Sequence, residues 1–222
     1  MAAKKITLKK EMVTPDKIIN AYMEYVLENE KTPKSVFKFC KENNYSEEEF
    51  YNSFGSFEGL QIQIWNSFFI HSMNLAQKSE GYEVLSAKDK MLTFFYTFFE
   101  ILTANRSYVL FIIQEHRDML KNLSQLKGLR SHVKKFASQL IEESNNEKQL
   151  NILKHPVKIF SEGAWLQTLL LLKFWKEDTS PSFEKTDVMI EKSVRAIFDV
   201  FETTPLESVL DLGKFLWKEK MV

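Results

Sequence analysis

Glycine is scarce in this chain, with six residues in 222, where an ordinary globular protein carries about 7%. Proline is scarce too, at five. So few turn-forming residues exclude collagen-like, low-complexity and turn-rich β-sandwich chains, and predict long helices. A single cysteine, Cys40, leaves no internal disulfide and points to a reducing, cytoplasmic setting. No apolar run reaches the ~20 residues of a membrane-crossing helix. Residues 60–77 lack charge but are interleaved with Gln, Asn and Ser, and 163–172 is too short. No apolar stretch of signal-peptide length follows Met1-Ala2-Ala3-Lys4-Lys5. Charge of either sign is not in excess: Lys plus Arg and Asp plus Glu number 30 each.

Signatures of catalysis are missing as well. There is no glycine-rich phosphate loop, no His-Glu-x-x-His helix and no Cys-x-x-Cys pair. No Glu-x-x-His pair supports a di-iron bundle. His71, His116, His132 and His155 are scattered. The run Glu115-His116-Arg117-Asp118 does not converge on a helix and reads as surface. Cys40 reads as a small core residue. No enzyme, metal or cofactor is expected.

What the chain does have is aromatic side chains, nineteen of them phenylalanine, and helix signals. Thr14-Pro15, Thr32-Pro33 and Thr204-Pro205 each set an N-cap hydroxyl before a first-turn proline. His155-Pro156 repeats the proline placement, and Pro181 falls in a loop. Ten helices are predicted, near 15–29, 33–43, 47–54, 57–77, 87–104, 107–122, 125–144, 156–176, 183–202 and 205–219. The first carries Ile18, Ile19, Tyr22, Met23, Val26 and Leu27 on one face. The second is expected to turn Val36, Phe37 and Cys40 inward. The fifth has Met91, Phe94, Phe95, Phe98, Phe99 and Leu102 at helical spacing. From Ala164 to Trp175 the chain is apolar nearly all round, so that helix must be covered on both sides. The next has one stripe, Ile190, Val194, Ile197, Phe198 and Phe201. The pair forms either the centre of a bundle or, in addition, a surface for a second subunit.

Residues 33–60 hold a helix, a tight turn at Asn44-Tyr45 and a short helix with Phe50, Tyr51 and Phe54: a helix-turn-helix. Asn44 tolerates positive φ, and Ser46 with Glu49 makes a capping box. This segment resembles the TetR family of bacterial regulators. Ser46, Phe50, Tyr51, Phe54, Ser56, Glu58 and Leu60 fall on that family's pattern. The resemblance implies an N-terminal three-helix DNA-binding unit and a helical ligand-binding domain. It also implies dimerisation through the helices at 156–176 and 183–202. The chain departs from the pattern at Glu47, Glu48 and Glu49, where small, hydroxyl or basic residues are usual. It departs again at Phe57, where the family has lysine. Residues 15–60 carry five lysines against nine carboxylates, a net of −4, which opposes phosphate binding. Acidic residues at a helix N-terminus are otherwise worth ~0.3–1 kcal/mol each, and glutamate can accept from cytosine N4. Lys4, Lys5, Lys9 and Lys10 form a basic arm ahead of the unit.

A second, shorter resemblance lies at 178–194. Asp178, Ser180, Pro181, Phe183 and Thr186 are similar to a signature of the TetR-fold lipid-binding proteins of coenzyme Q biosynthesis. That implies an apolar tunnel for an isoprenoid or quinone, weak or absent DNA binding, and a membrane-touching last helix. The last predicted helix does mix Val209, Leu212, Phe215, Leu216 and Trp217 with Lys214, Lys218 and Lys220. Between 119 and 141 there are five basic residues and no acidic one: Lys121, Lys127, Arg130, Lys134 and Lys135. A solvated helix face accounts for them, as does an acidic partner, a lipid headgroup or a DNA backbone.

These readings combine into an all-α, TetR-like, homodimeric chain. A basic arm (1–14) precedes a helix-turn-helix unit (15–60) and a ligand-binding and dimerisation domain (61–222). The expected DNA-binding residues are Lys34, Ser46, Glu48, Glu49, Tyr51 and Asn52. An apolar pocket is expected among Phe94, Phe95, Phe98, Phe99, Phe111, Trp165 and Leu169. The expected dimer interface comprises Leu166, Leu170, Phe174, Val194, Ile197 and Phe201. Two functions fit: a regulator of double-stranded DNA controlled by an apolar small molecule, or a lipid carrier of the same fold, with peripheral membrane contact through its last helix.

Overall fold

A computed structural model describes residues 13–115, 124–146 and 156–203. Among these residues there are nine α-helices, two 3-10 turns and no strand. The helices are α1 (Pro15–Asn29), α2 (Val36–Glu42), α3 (Glu47–Tyr51), α4 (Phe57–Gln77) and α5 (Ala87–Ala104). They continue with α6 (Arg106–Glu115), α7 (Lys127–Asn146), α8 (Val157–Glu177) and α9 (Glu184–Thr203). The predicted helix at 205–219 lies outside the described residues.

Capping explains most helix starts. Thr14 Oγ1 accepts from the Lys17 N–H at 3.3 Å, with Pro15 in the first turn. Ser56 and Ser86 cap α4 and α5 in the same way. Thr32-Pro33 is a correction to the expectation. Pro33 sits buried in a loop and Ser35 caps α2, so that helix starts three residues later than predicted. Pro156 takes the N-cap position of α8 rather than its first turn.

The head comprises α1, α2 and α3. Its centre is Phe39, fully buried, with ring centroids 5.7–6.5 Å from Tyr22, Tyr25, Tyr45, Phe50 and Phe57. Phe37 was expected there and is instead 58% exposed. Val36, Phe39 and Cys40 share one face of α2 at i, i+3 and i+4, which turns Phe37 outward. Leu27 likewise leaves the face of α1 that buries Ile18, Tyr22 and Val26.

The body is a bundle around α5, which packs against α4, α7 and α9, with α8 lying on α7 and α9. The aromatic stripe of α5 fills its centre. Phe94 meets Phe69, Phe95, Phe98 and Phe136 at 5.2–5.5 Å between centroids, and Phe98 meets Phe99 at 5.7 Å. Aromatic pairs at such distances add ~0.5–1.5 kcal/mol beyond area burial.

Close approach of α4 and α7 rests on Gly128. A Cβ there would overlap the Asn66 side-chain amide, whose Oδ1 is buried with no hydrogen bond among the described residues. Gly128→Ala is expected to destabilise the fold by about 1–3 kcal/mol in urea unfolding. The double variant Asn66→Ala/Gly128→Ala should recover most of that loss.

Candidate functional site

The helix-turn-helix forms as its residues dictate. Asn44 takes φ 60° at the turn, where asparagine is tolerated. Ser46 Oγ accepts from the Glu49 N–H at 3.1 Å, and the Ser46 N–H donates to Glu49 Oε2 at 2.7 Å. Glu49 is therefore partly committed to the cap. Lys34, Ser46, Glu48 and Asn52 are exposed, and Tyr51 is 52% exposed. Phe57, at the position of the family's lysine, is half-buried and stacks on Tyr22 at 5.5 Å.

Head and body join at Tyr22. Its ring is fully buried and meets Tyr108 of α6 edge-on at 6.4 Å. Its hydroxyl accepts from Gln61 Nε2 of α4 at 2.8 Å. Beside this junction lies a cleft of about 520 Å³. One wall is an α1 stripe at i, i+3, i+4 and i+7: Asp16, Ile19, Asn20 and Met23. The facing wall is an α4 stripe: Ile64, Ser67, Phe68, Ile70, His71 and Asn74. Ile101 and Asn105 close it from the end of α5. None of the expected pocket residues lines it. Phe94, Phe95, Phe98, Phe99 and Trp165 are buried, while Phe111 and Leu169 are half-buried against the core. Core packing occupies the α5 stripe because the rings interlock with one another. The signal for the cleft was present as two facing stripes of mixed polarity, a pattern less conspicuous than a run of phenylalanines.

On α8, Leu166 and Leu170 are 65% and 49% exposed, and Phe174 is half-buried. Val194 is fully buried among the core residues and Ile197 packs half-buried against them. Val194 thus faces the chain's own bundle, because the apolar stripe of α9 is taken up by α5 and α8. The Phe201 side chain lies outside the described residues. Basic α7 is partly neutralised, since Arg130 and Lys134 both pair with Glu162 of α8. The arm at 1–12 and residues beyond 203 are also outside the described residues. Among the described residues, no group of three His, Cys, Asp or Glu is placed to hold a metal. No helix among them is long and apolar enough to cross a membrane.

The second motif builds an elbow between α8 and α9. Asp178 is buried, and its carboxylate accepts from the N–H and hydroxyl of Ser180 (2.8 and 2.7 Å) and of Thr186 (2.9 and 2.7 Å). Arg106 lies 4.4 Å from the ring centroids of both Trp175 and Phe183. It donates to the carbonyls of Trp175, Lys176 and Asp178 at 3.0–3.2 Å, capping the end of α8. Ser182 and Phe183 have φ of 52° and 60°, a strained conformation for a bulky residue. The Arg106 sandwich and the Asp178 cap hold it in place. Asp178, Ser180, Phe183 and Thr186 are all engaged in this internal structure.

The described residues form an all-helical head and bundle, with a capped helix-turn-helix in the head. The family model described as tetracyclin repressor-like, C-terminal domain, matches residues 90–216. That span covers more than half of the sequence, and the chain belongs to the TetR family. No curated protein matches the sequence.

Burial pushes the Asp178 carboxyl up, but the Ser180 and Thr186 donors outweigh it and hold it at about 2, against an ordinary 3.8. A depressed pKa contributes stability above the unfolded value and loses it as pH falls through the folded one. Urea unfolding should therefore show stability declining from about pH 4 to pH 2. Asp178→Asn should flatten that decline and cost about 1–3 kcal/mol at neutral pH, because buried donors lose their carboxylate.

Proposed function

We propose that the protein is a cytoplasmic, dimeric, ligand-responsive transcriptional regulator whose head reads duplex DNA. The observation that carries this reading is the capped helix-turn-helix, with Lys34, Glu48, Tyr51 and Asn52 exposed around α3. Membership of the TetR family supports it. Glu48 is exposed and can accept from cytosine N4. For the dimer, Leu166, Leu170 and Phe174 form an i, i+4, i+8 stripe on α8 that suits a second copy of the chain.

One observation favours a different reading, a lipid-carrying protein of the same fold. Glu47 and Glu48 are exposed carboxylates at the start of α3, and Phe57 packs inside the head instead of offering a lysine to phosphate. Phosphate neutralisation supplies much of DNA affinity.

Fluorescence anisotropy with the duplex upstream of the protein's own gene separates the two. A regulator binds at about 50 mM salt and loses affinity steeply as salt rises. Glu48→Lys should then strengthen binding to unrelated duplexes as well. Failure to bind at low salt, with an isoprenoid or quinone recovered by solvent extraction, would overturn the regulator and support the carrier. Light scattering of Leu166→Glu/Leu170→Glu should give a monomer mass where the native chain gives a dimer.

A further inference from the structure

We propose that the cleft between α1 and α4 is a binding site for a small amphipathic amine, with the ammonium at Asp16 and the apolar body between the two helices. Its volume, about 520 Å³, falls within the ~300–1,000 Å³ range of small-molecule sites. The walls are chemically divided. Ile19, Met23, Ile64, Phe68 and Ile101 supply apolar surface. Ser67 and Asn105 supply half-buried hydrogen-bonding groups. Asn105 donates its side-chain N–H to the Ile101 carbonyl at 2.9 Å, and its amide oxygen is chemically an acceptor.

Among the described residues of the lining, Asp16 is the only Asp, Glu, Lys or Arg. Its carboxylate has no ion-pair partner among the described residues. It is exposed in the first turn of α1. A cleft with an apolar floor, amide and hydroxyl groups and one negative charge is complementary to a cation carried on an apolar body. A carboxylate ligand would meet repulsion there, and a wholly apolar one would leave the polar groups unmatched.

The site is distinct from the aromatic centre of the bundle. It is shared between α1 of the head and α4 and α5 of the body. A bound ligand would contact both parts and so favour the arrangement in which the cleft is formed. The binding itself does not rest on DNA recognition by the head. Loss of one activity with the other intact would therefore say which of the two readings has failed.

The test uses dansylcadaverine, a fluorescent primary amine with an aromatic body, and its N-acetylated, uncharged form. Titrated into the full chain, the amine should bind saturably at one per protomer. The acetylated probe should bind about fivefold more weakly, the factor that ~1 kcal/mol represents for an exposed charge pair. Asp16→Asn should abolish that preference by weakening the amine alone, while Glu28→Gln, an exposed acid on α1 outside the cleft, should leave it unchanged. Ser67→Trp, which fills the cleft, should remove binding of both probes. Should that variant not fold, the Asp16→Asn comparison decides alone. Absence of saturable binding up to about 1 mM amine, equal binding of the two probes by the native chain, or a preference that survives Asp16→Asn would overturn the proposal.

Discussion

Tyr22 is the point on which the arrangement of this molecule depends. One side chain of α1 faces Phe39 within the head, Phe57 and Gln61 of α4, and Tyr108 of α6. It is fully buried, and its hydroxyl accepts a hydrogen bond from Gln61. Burying an unpaired hydroxyl costs ~1–3 kcal/mol, so Gln61 makes the position of Tyr22 tolerable as well as specific. Removing the ring would open a void touching the head, α4 and α6 at once. The head's buried aromatic cluster around Phe39 includes Tyr22 itself. The stability of the head draws on this junction.

The same junction relates structure to function. In the TetR reading a ligand must alter the head through the body. The bundle around α5 is filled by interlocked phenylalanines, and close-packed interiors accommodate added volume at a cost of about 1–3 kcal/mol. Among the described residues, a cleft lies between α1 and α4. A molecule there would touch both parts directly. The elbow between α8 and α9 has a contrasting role. Arg106, Asp178 and the strained Ser182-Phe183 pair fix α8 against α9.

Much of the fold was legible in the sequence because capping and helical periodicity are local. Scarce glycine and proline pointed to helices. Thr14 and Ser46 marked where two of them begin, and Asn44 marked the turn. Errors arose where a choice depended on tertiary contacts. Phe37 and Phe39 are both apolar and two residues apart, and only the packing of α2 on Tyr22 and Phe50 decides which one is buried. Val194 and Leu166 are both apolar on adjacent helices, yet α9 spends its stripe on the bundle while α8 leaves one uncovered. The Asp178 segment was conspicuous in sequence, but its use as a cap became evident only with Thr186 hydrogen-bonded eight residues on. The cleft was hardest to see, since it needs two stripes from distant parts of the chain to face each other.

The dependence on Tyr22 is tested most directly by hydrogen exchange, followed by mass spectrometry, in Tyr22→Ala beside the native chain. Faster exchange throughout α1, α2 and α3, extending into α6 and the start of α4 while the centre of α5 stays protected, is the predicted result. Acceleration confined to the turns of α1 next to residue 22 would contradict the account, because it would mean that the head holds its structure without the junction.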